Sequence, residues 1–205
     1  MLLTSTLLTR LFPLYALQAA LAFGPTVSGL PRIADVRLDS ALASTARGLI
    51  HRNVDPYKDG LVHRPNSEEP GDAVSEGQAY GMIVTLYSND QANFNRIWDA
   101  AENTMWNSGA KLYNWRIGAN GSVIGTGMAT DADQDIALML LFADSLARKK
   151  AWTQHNSPKG ASYKQRAQEI IGSIWGSAVA EGRYLAPGAG WGGKEFVNPS
   201  YFSPA

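Results

Sequence analysis

The chain is 205 residues long and 45% hydrophobic, with 18 basic and 18 acidic side chains in balance. That profile fits one globular domain and excludes a disordered chain, while the lack of net charge gives no field to draw it to nucleic acid or an anionic membrane, so neutral polymers stay open as partners. With no cysteine in the sequence, disulfides, thiol nucleophiles and cysteine metal sites are excluded together.

Residues 1–22 read as a secretory signal peptide: Arg10 follows a short polar start, Leu11 to Ala22 is mostly apolar, and Ala20-Leu21-Ala22 is a small-x-small cleavage site. The apolar stretch is short for a membrane span; its alternative reading is a buried or membrane-anchoring N-terminal helix. The expected mature chain begins near Phe23, is exported, has no membrane attachment after cleavage, and forms one domain over 23–205. After an irregular lead-in over 23–34, Leu38, Ala41, Leu42, Thr45, Leu49 and Ile50 recur at helical spacing on one face. Residues 53–74, rich in Pro, Gly and charge, read as a long loop. Ser75 then serves as the expected cap of a helix starting near Glu76, whose Ala79, Tyr80, Met82, Ile83, Val84 and Leu86 leave little polar face.

Phe94, Ile97, Trp98, Ala101 and Met105 form another one-sided helix, Ile136 to Ala143 another almost wholly apolar one, and Tyr163, Ala167, Ile170, Ile171, Ile174 and Ala178 a third one-sided one. Half-buried and enclosed helices thus alternate, which suits an all-α ring of two layers better than a bundle of like members. Two glycine-rich connections carry aromatics, 107–128 with Trp115 and 184–197 with Tyr184 and Trp191; connections of this kind are more often functional than mere links.

Three constellations carry chemistry. Ser75-Glu76-Gly77-Gln78-Ala79-Tyr80-Gly81-Met82 puts a carboxylate at the mouth of an enclosed helix, with glycines that admit a ligand or another helix; alone, Glu76 is also what an ordinary helix N-terminus attracts. Ala129-Thr130-Asp131-Ala132-Asp133-Gln134-Asp135 opens the other enclosed helix. It is no calcium loop, since Ile136 and Phe142 occupy the positions that need Gly and Glu. Asp131 can cap the helix, but capping does not need three aspartates. If the two helices are parallel, Glu76 and Asp131 meet in one cleft. There helix dipoles lower both pKa values, whereas repulsion and partial burial raise one of them, as a proton donor at neutral pH requires. Trp115, Tyr184, Trp191 and Tyr201 offer flat rings for sugars, or anchors for their loops. His51, His63 and His155 have no metal-ligand spacing and read as solvated or locally bonded.

Residues 75–82, residues 129–137, and Leu185-Ala186-Pro187-Gly188 followed by Asn198-Pro199-Ser200-Tyr201-Phe202-Ser203-Pro204 closely resemble three ordered landmarks of family 8 glycoside hydrolases. The resemblance implies an (α/α)6 toroid of six hairpins and inverting endo-hydrolysis of a β-1,4-linked polysaccharide such as cellulose or β-glucan, with chitosan or xylan as other substrates. It implies neither cofactor nor metal. By motif, Glu76 is similar to the family's general acid and Asp131 to the aspartate that assists at the cleaved sugar. Trp115 and Trp191 look like stacking platforms, and Tyr184, Tyr201 and Asp133 join them as substrate-binding residues. Met139 and Ala147 depart from the pattern, where a small residue and an aromatic are usual. Only five helices are counted, with a sixth starting near Asn198, so about half the toroid is expected. The resemblance puts the catalytic base beyond Ala205. The expectation is an incomplete toroid with an exposed inner face; the alternative is a non-catalytic carbohydrate-binding half-barrel.

Overall fold

The computed structural model describes the backbone of residues 33–188 and the side chains of residues 40–188. The signal segment, Trp191, Tyr201 and the Asn198 to Pro204 stretch lie outside the described residues. Among the described residues five α-helices run in chain order: α1 (Ile33–Leu49), α2 (Ser75–Tyr87), α3 (Gln91–Thr104), α4 (Thr130–Arg148) and α5 (Tyr163–Ser177). None of the described helices is long and apolar enough to cross a membrane.

The periodicities map onto burial. Phe94, Ile97, Trp98, Ala101 and Met105 of α3 and its cap are fully buried, as are Tyr163, Ala167 and Ile170 of α5. Asp90 caps α3 by accepting from the Asn93 N–H, and Ser162 caps α5 by accepting from the Gln165 N–H. α2 packs against α1, α3 and α4, and α4 packs in turn against α5. The helices therefore follow the expected alternation, with α2 and α4 as neighbouring inner members. The arc does not close. Tyr80 and Tyr87 stand 55% and 41% exposed on α2, with Ile83 and Val84 half-buried beside them. α2 is thus covered on the α1, α3 and α4 sides and open on its remaining face.

Two expectations about boundaries need correction. The loop expected from residue 53 starts later: a π-helical turn, Ile50–Val54, continues α1 past that point, closed by the Asp55 N–H donating to the Ile50 carbonyl at 2.9 Å. Burial of Ile50 and Val54 in the core draws the chain on. The long loop that follows contains β1 (His63–Arg64) and β2 (Asp72–Val74), which join β5 (Arg116–Ile117) and β6 (Val123–Gly125) in a four-stranded antiparallel sheet of order β1-β2-β5-β6. Two short hairpins complete the inventory: β3 (Trp106–Asn107) with β4 (Leu112–Tyr113), and β7 (Val179–Ala180) with β8 (Tyr184–Leu185). Strands of two or three residues are too short to show a period.

The glycine at position 81 serves helix packing. A Cβ there would lie 2.7 Å from Val62 Cγ2 and 2.9 Å from Ile97 Cδ1, so glycine is what lets α2 lie against α3 at this point. A buried ion pair fastens α3 to α5: Arg166 Nη2 donates to Glu102 Oε2 at 2.7 Å, and both side chains are almost wholly buried. We predict that Gly81→Ala, despite its better helix propensity, lowers stability by about 1–2 kcal/mol through overpacking; urea denaturation measures the loss.

Candidate active site

The site begins with a buried carboxylate that takes no part in its chemistry. Asp72 has no exposed surface and accepts from Arg64 Nε at 2.9 Å, Arg64 Nη2, Ser67 Oγ at 2.8 Å and Arg116 Nε at 2.6 Å. Burial acts to raise its pKa, but the hydrogen bonds from Arg64, Ser67 and Arg116 and the Arg64 charge outweigh it and hold the group at about 2. Arg64 and Asp72 are also paired across β1 and β2, and β2 lies between β1 and β5. The clamp thus ties three strands together one residue pair before α2 begins.

The chain passes from β2 into α2 without a side-chain cap. Val74, extended and paired with Arg116, occupies the cap position, and Ser75 is already helical. The expectation that Ser75 caps the helix is therefore wrong; its N–H instead donates to the Trp115 carbonyl at 3.0 Å. Gln78 fastens the first turn. Its Oε1 accepts from the Val62 N–H at 2.8 Å, and its Nε2 donates to the carbonyls of Val62 and Val74, each at 3.0 Å. The same connection reaches α4: the Trp115 N–H donates to the Gly127 carbonyl at 2.9 Å, three residues before Thr130. The N-termini of α2 and α4 are thereby held at one rim.

α4 also starts without a side-chain cap, because Ala129 holds the cap position; Asp131 lies inside the first turn. The Thr130 N–H donates to the Pro187 carbonyl at 3.1 Å and Thr130 Oγ1 to the Ala186 carbonyl at 2.7 Å. This gives a physical role to the Leu185-Ala186-Pro187-Gly188 landmark, which seats the start of α4.

Glu76 and Asp131 are both half-buried on this rim. Burial raises the Glu76 pKa above its ordinary value; its own backbone N–H opposes this, the Asp131 charge adds to it, and Ser75 and Arg64 oppose it more weakly. Burial likewise raises Asp131, against the helix-start N–H groups of Ala132 and Asp131 itself. Both carboxyls move upward where one was expected to, because desolvation outweighs the helix N-terminus at each. The two charges act on one another, so the pair is brought into a common electrostatic environment.

Asp133 is fully buried and feels the charges of both members of this pair. Its Oδ1 accepts from the Tyr113 N–H at 3.0 Å, whereas Asp133 Oδ2 and the neighbouring Asp131 Oδ1 are buried without a hydrogen-bond partner. Burial drives Asp133 well above the ordinary carboxylate range, the Tyr113 bond opposes it, and the charges of Asp131 and Glu76 add to it. Tyr80 lies one helical turn after Glu76, its hydroxyl pKa raised by burial and by the charges of Asp131, Asp135 and Glu76. Among the described residues no three acidic or histidine side chains converge as a metal ion would need.

Trp115 is half-buried, with its indole pressed on Gly125: a Cβ there would be 2.5 Å from the ring. Arg116 lies 5.7 Å from the Trp115 ring centroid. Tyr184 is half-buried in β8, just ahead of the carbonyls that seat α4, with Arg183 at 5.8 Å from its ring. His63 is not solvated but buried, bonded to the Gly71 carbonyl at 2.6 Å and to Asp59, and stacked on Tyr57. Sequence reasoning missed Asp72, Arg64, Gln78 and Tyr113, since each acts through a partner 8 to 44 residues away. Gln78 alone carried a signal, by standing inside the Glu76 motif.

Residues 57–205 match the family described as Glycosyl hydrolases family 8. The chain is 40% identical over 139 residues to Endoglucanase A of Acetivibrio thermocellus, an alignment covering 65% of this chain and 27% of that protein. Among solved structures, an endo-beta-1,4-glucanase from Acetobacter xylinum is 27% identical with a TM-score of 0.58, over 74% of this chain and 44% of the other. A family 8 endoglucanase from Klebsiella pneumoniae superposes with a TM-score of 0.62 at 24% identity, over 78% and 49%. The chain spans about a quarter of the length of the first of these relatives and under half of the two solved ones.

Two predictions test the electrostatics. Asp72→Asn leaves Arg64 and Arg116 without their counter-charge and should cost on the order of 2 kcal/mol at neutral pH. Because the Asp72 pKa is depressed, that contribution is present above the ordinary carboxylate range and lost as pH falls toward about 2, so wild type and variant should converge in acid denaturation curves. Asp133 has the opposite sign: its raised pKa makes the folded state bind the extra proton, so the stability it contributes in acid is lost as pH rises. Asp133→Asn keeps an acceptor for the Tyr113 N–H and should flatten the fall in Tm from acid to neutral pH, as read by scanning calorimetry.

Proposed function

The chain belongs to family 8 of the glycosyl hydrolases, and on that premise we propose that it carries the acid side of an endo-acting hydrolase of β-1,4-linked glucan. The supporting observation is the pair at the rim, Glu76 and Asp131, each opening one of two neighbouring inner helices, each raised by burial, and each within reach of the other's charge.

Glycoside hydrolysis needs a carboxyl that is still protonated when substrate arrives, so that it can give a proton to the leaving oxygen. Glu76 is the proposed donor. Its raised pKa favours the protonated form, and the Asp131 charge works in the same direction. As the sugar–oxygen bond breaks, positive charge builds on the sugar ring; Asp131, ionised, stabilises that charge and accepts a hydrogen bond from a ring hydroxyl. Water then attacks the anomeric carbon directly, activated by a second carboxylate. Trp115 supplies a stacking face beside the donor, and Trp191, Tyr184 and Tyr201 extend the binding surface. Asp133 stands behind the pair, holding β4 through Tyr113. We further propose export through the signal segment at residues 1–22, and a glucan substrate in preference to xylan or chitosan, since the relatives named above are endoglucanases.

Glu76→Gln keeps the shape and removes the proton donor. Hydrolysis of unactivated β-glucan, followed by reducing-end release, should fall by roughly 10²–10⁴-fold, while affinity for the same polymer changes little. Undiminished turnover in the variant would remove Glu76 from the acid role.

A further inference from the structure

α5 turns Ile170, Ile171 and Ile174 into the core, and its solvent side borders two adjoining cavities that the site above does not use. The first, about 400 Å³, is walled by Trp106, Ser108, Lys111, Lys159, Arg166 and Glu169. The second, about 360 Å³, shares Lys111 and Glu169 with it and adds Gln165, Gln168, Gly172 and Ser173. Arg166 is buried, paired with Glu102 and Glu169, and laid 3.7 Å from the centre of the Trp106 ring.

Further along the helix stands Trp175, 42% exposed. It lies seven residues after Gln168 and three after Gly172, so all three share a helix face. A Cβ at Gly172 or Gly176 would meet nothing within 4 Å, leaving the surface beside the indole open. From Gln165 to Trp175 the helix rises roughly 15 Å, room for about three sugar rings end to end. Its lining matches one class of ligand. Amides and hydroxyls both donate and accept, as sugar hydroxyls do; Lys111 and Lys159 donate, Glu169 accepts, and the exposed Trp175 indole suits the flat C–H face of a pyranose. A nucleic acid would need a larger excess of positive charge, and a protein partner a cluster of apolar anchors rather than a single indole in a polar strip.

We propose that the solvent face of α5, from Trp106 to Trp175, is a second polysaccharide-binding strip that holds a neutral glycan chain apart from the Glu76–Asp131 rim. None of its side chains is among those acting on Glu76, and the strip does not depend on turnover. Its polymer class follows from the function proposed above, so the test uses two polymers. The full chain carrying Glu76→Gln, to prevent cutting, is run in native gels containing hydroxyethylcellulose or a neutral xylan. Adding Trp175→Ala should weaken retardation on the order of tenfold in apparent Kd, Gln168→Ala should weaken it less, and Trp115→Ala should weaken whatever remains. Both outer positions are exposed, and circular dichroism checks that the variants fold. Sensitivity to Trp175→Ala in xylan but not in cellulose would keep the strip and overturn the glucan reading. Retardation that is unchanged by both outer substitutions, absent for the parent chain, or seen only with a carboxymethylated polymer would overturn the strip.

Discussion

The arrangement depends on the grip of two arginines on one buried carboxylate. Asp72 lies within a sheet of very short strands, whose few ladder hydrogen bonds would give little order alone. Arg64 and Arg116 reach it from the strands on either side, and the seam so formed delivers Val74 straight into α2. Helix starts are usually set by their own caps. Here the start of α2 is set by a strand, and the direction in which Glu76 leaves the backbone follows from sheet register.

The rim is electrostatically expensive, and the rest of the chain compensates. Glu76, Asp131 and Asp133 are all raised by burial, and two of the buried oxygens have no partner. Carboxyls placed this way oppose folding at neutral pH, where they are pressed to ionise in poor solvation. The opposing contributions lie nearby: the Asp72 clamp, the buried Glu102–Arg166 pair, and the close approach of α2 to α3 at Gly81. Perturbed acids surrounded by strongly bonded ones are the pattern that the proposed proton-donor role calls for.

The helices were legible in the sequence because each carries three or more turns of apolar period, and Phe94, Ile97, Trp98 and the isoleucines of α5 fell where that period put them. The two acidic motifs were legible as helix mouths. The sheet was not, since β1 and β5 offer two residues each, and neither was the partnership of Asp72 with Arg116, 44 residues away. Ser75 misled because a serine before a helix ordinarily caps it; here Val74, held in the sheet, occupies the cap position and Ser75 is already helical. The carbonyls of Ala186 and Pro187 were recognisable as a landmark but not as the seat of Thr130, because a backbone acceptor leaves no mark on residue identity.

Tyr113 joins two of these systems through a single residue. Its hydroxyl donates to Glu102 within the α3–α5 lock, and its N–H holds Asp133 beneath the rim. Heating or denaturant that separates α3 from α5 therefore releases the backing of the acidic pair in the same step. The contact between the outer helices and the support of the buried acids thus run through one residue, so a change at Tyr113 is felt by both.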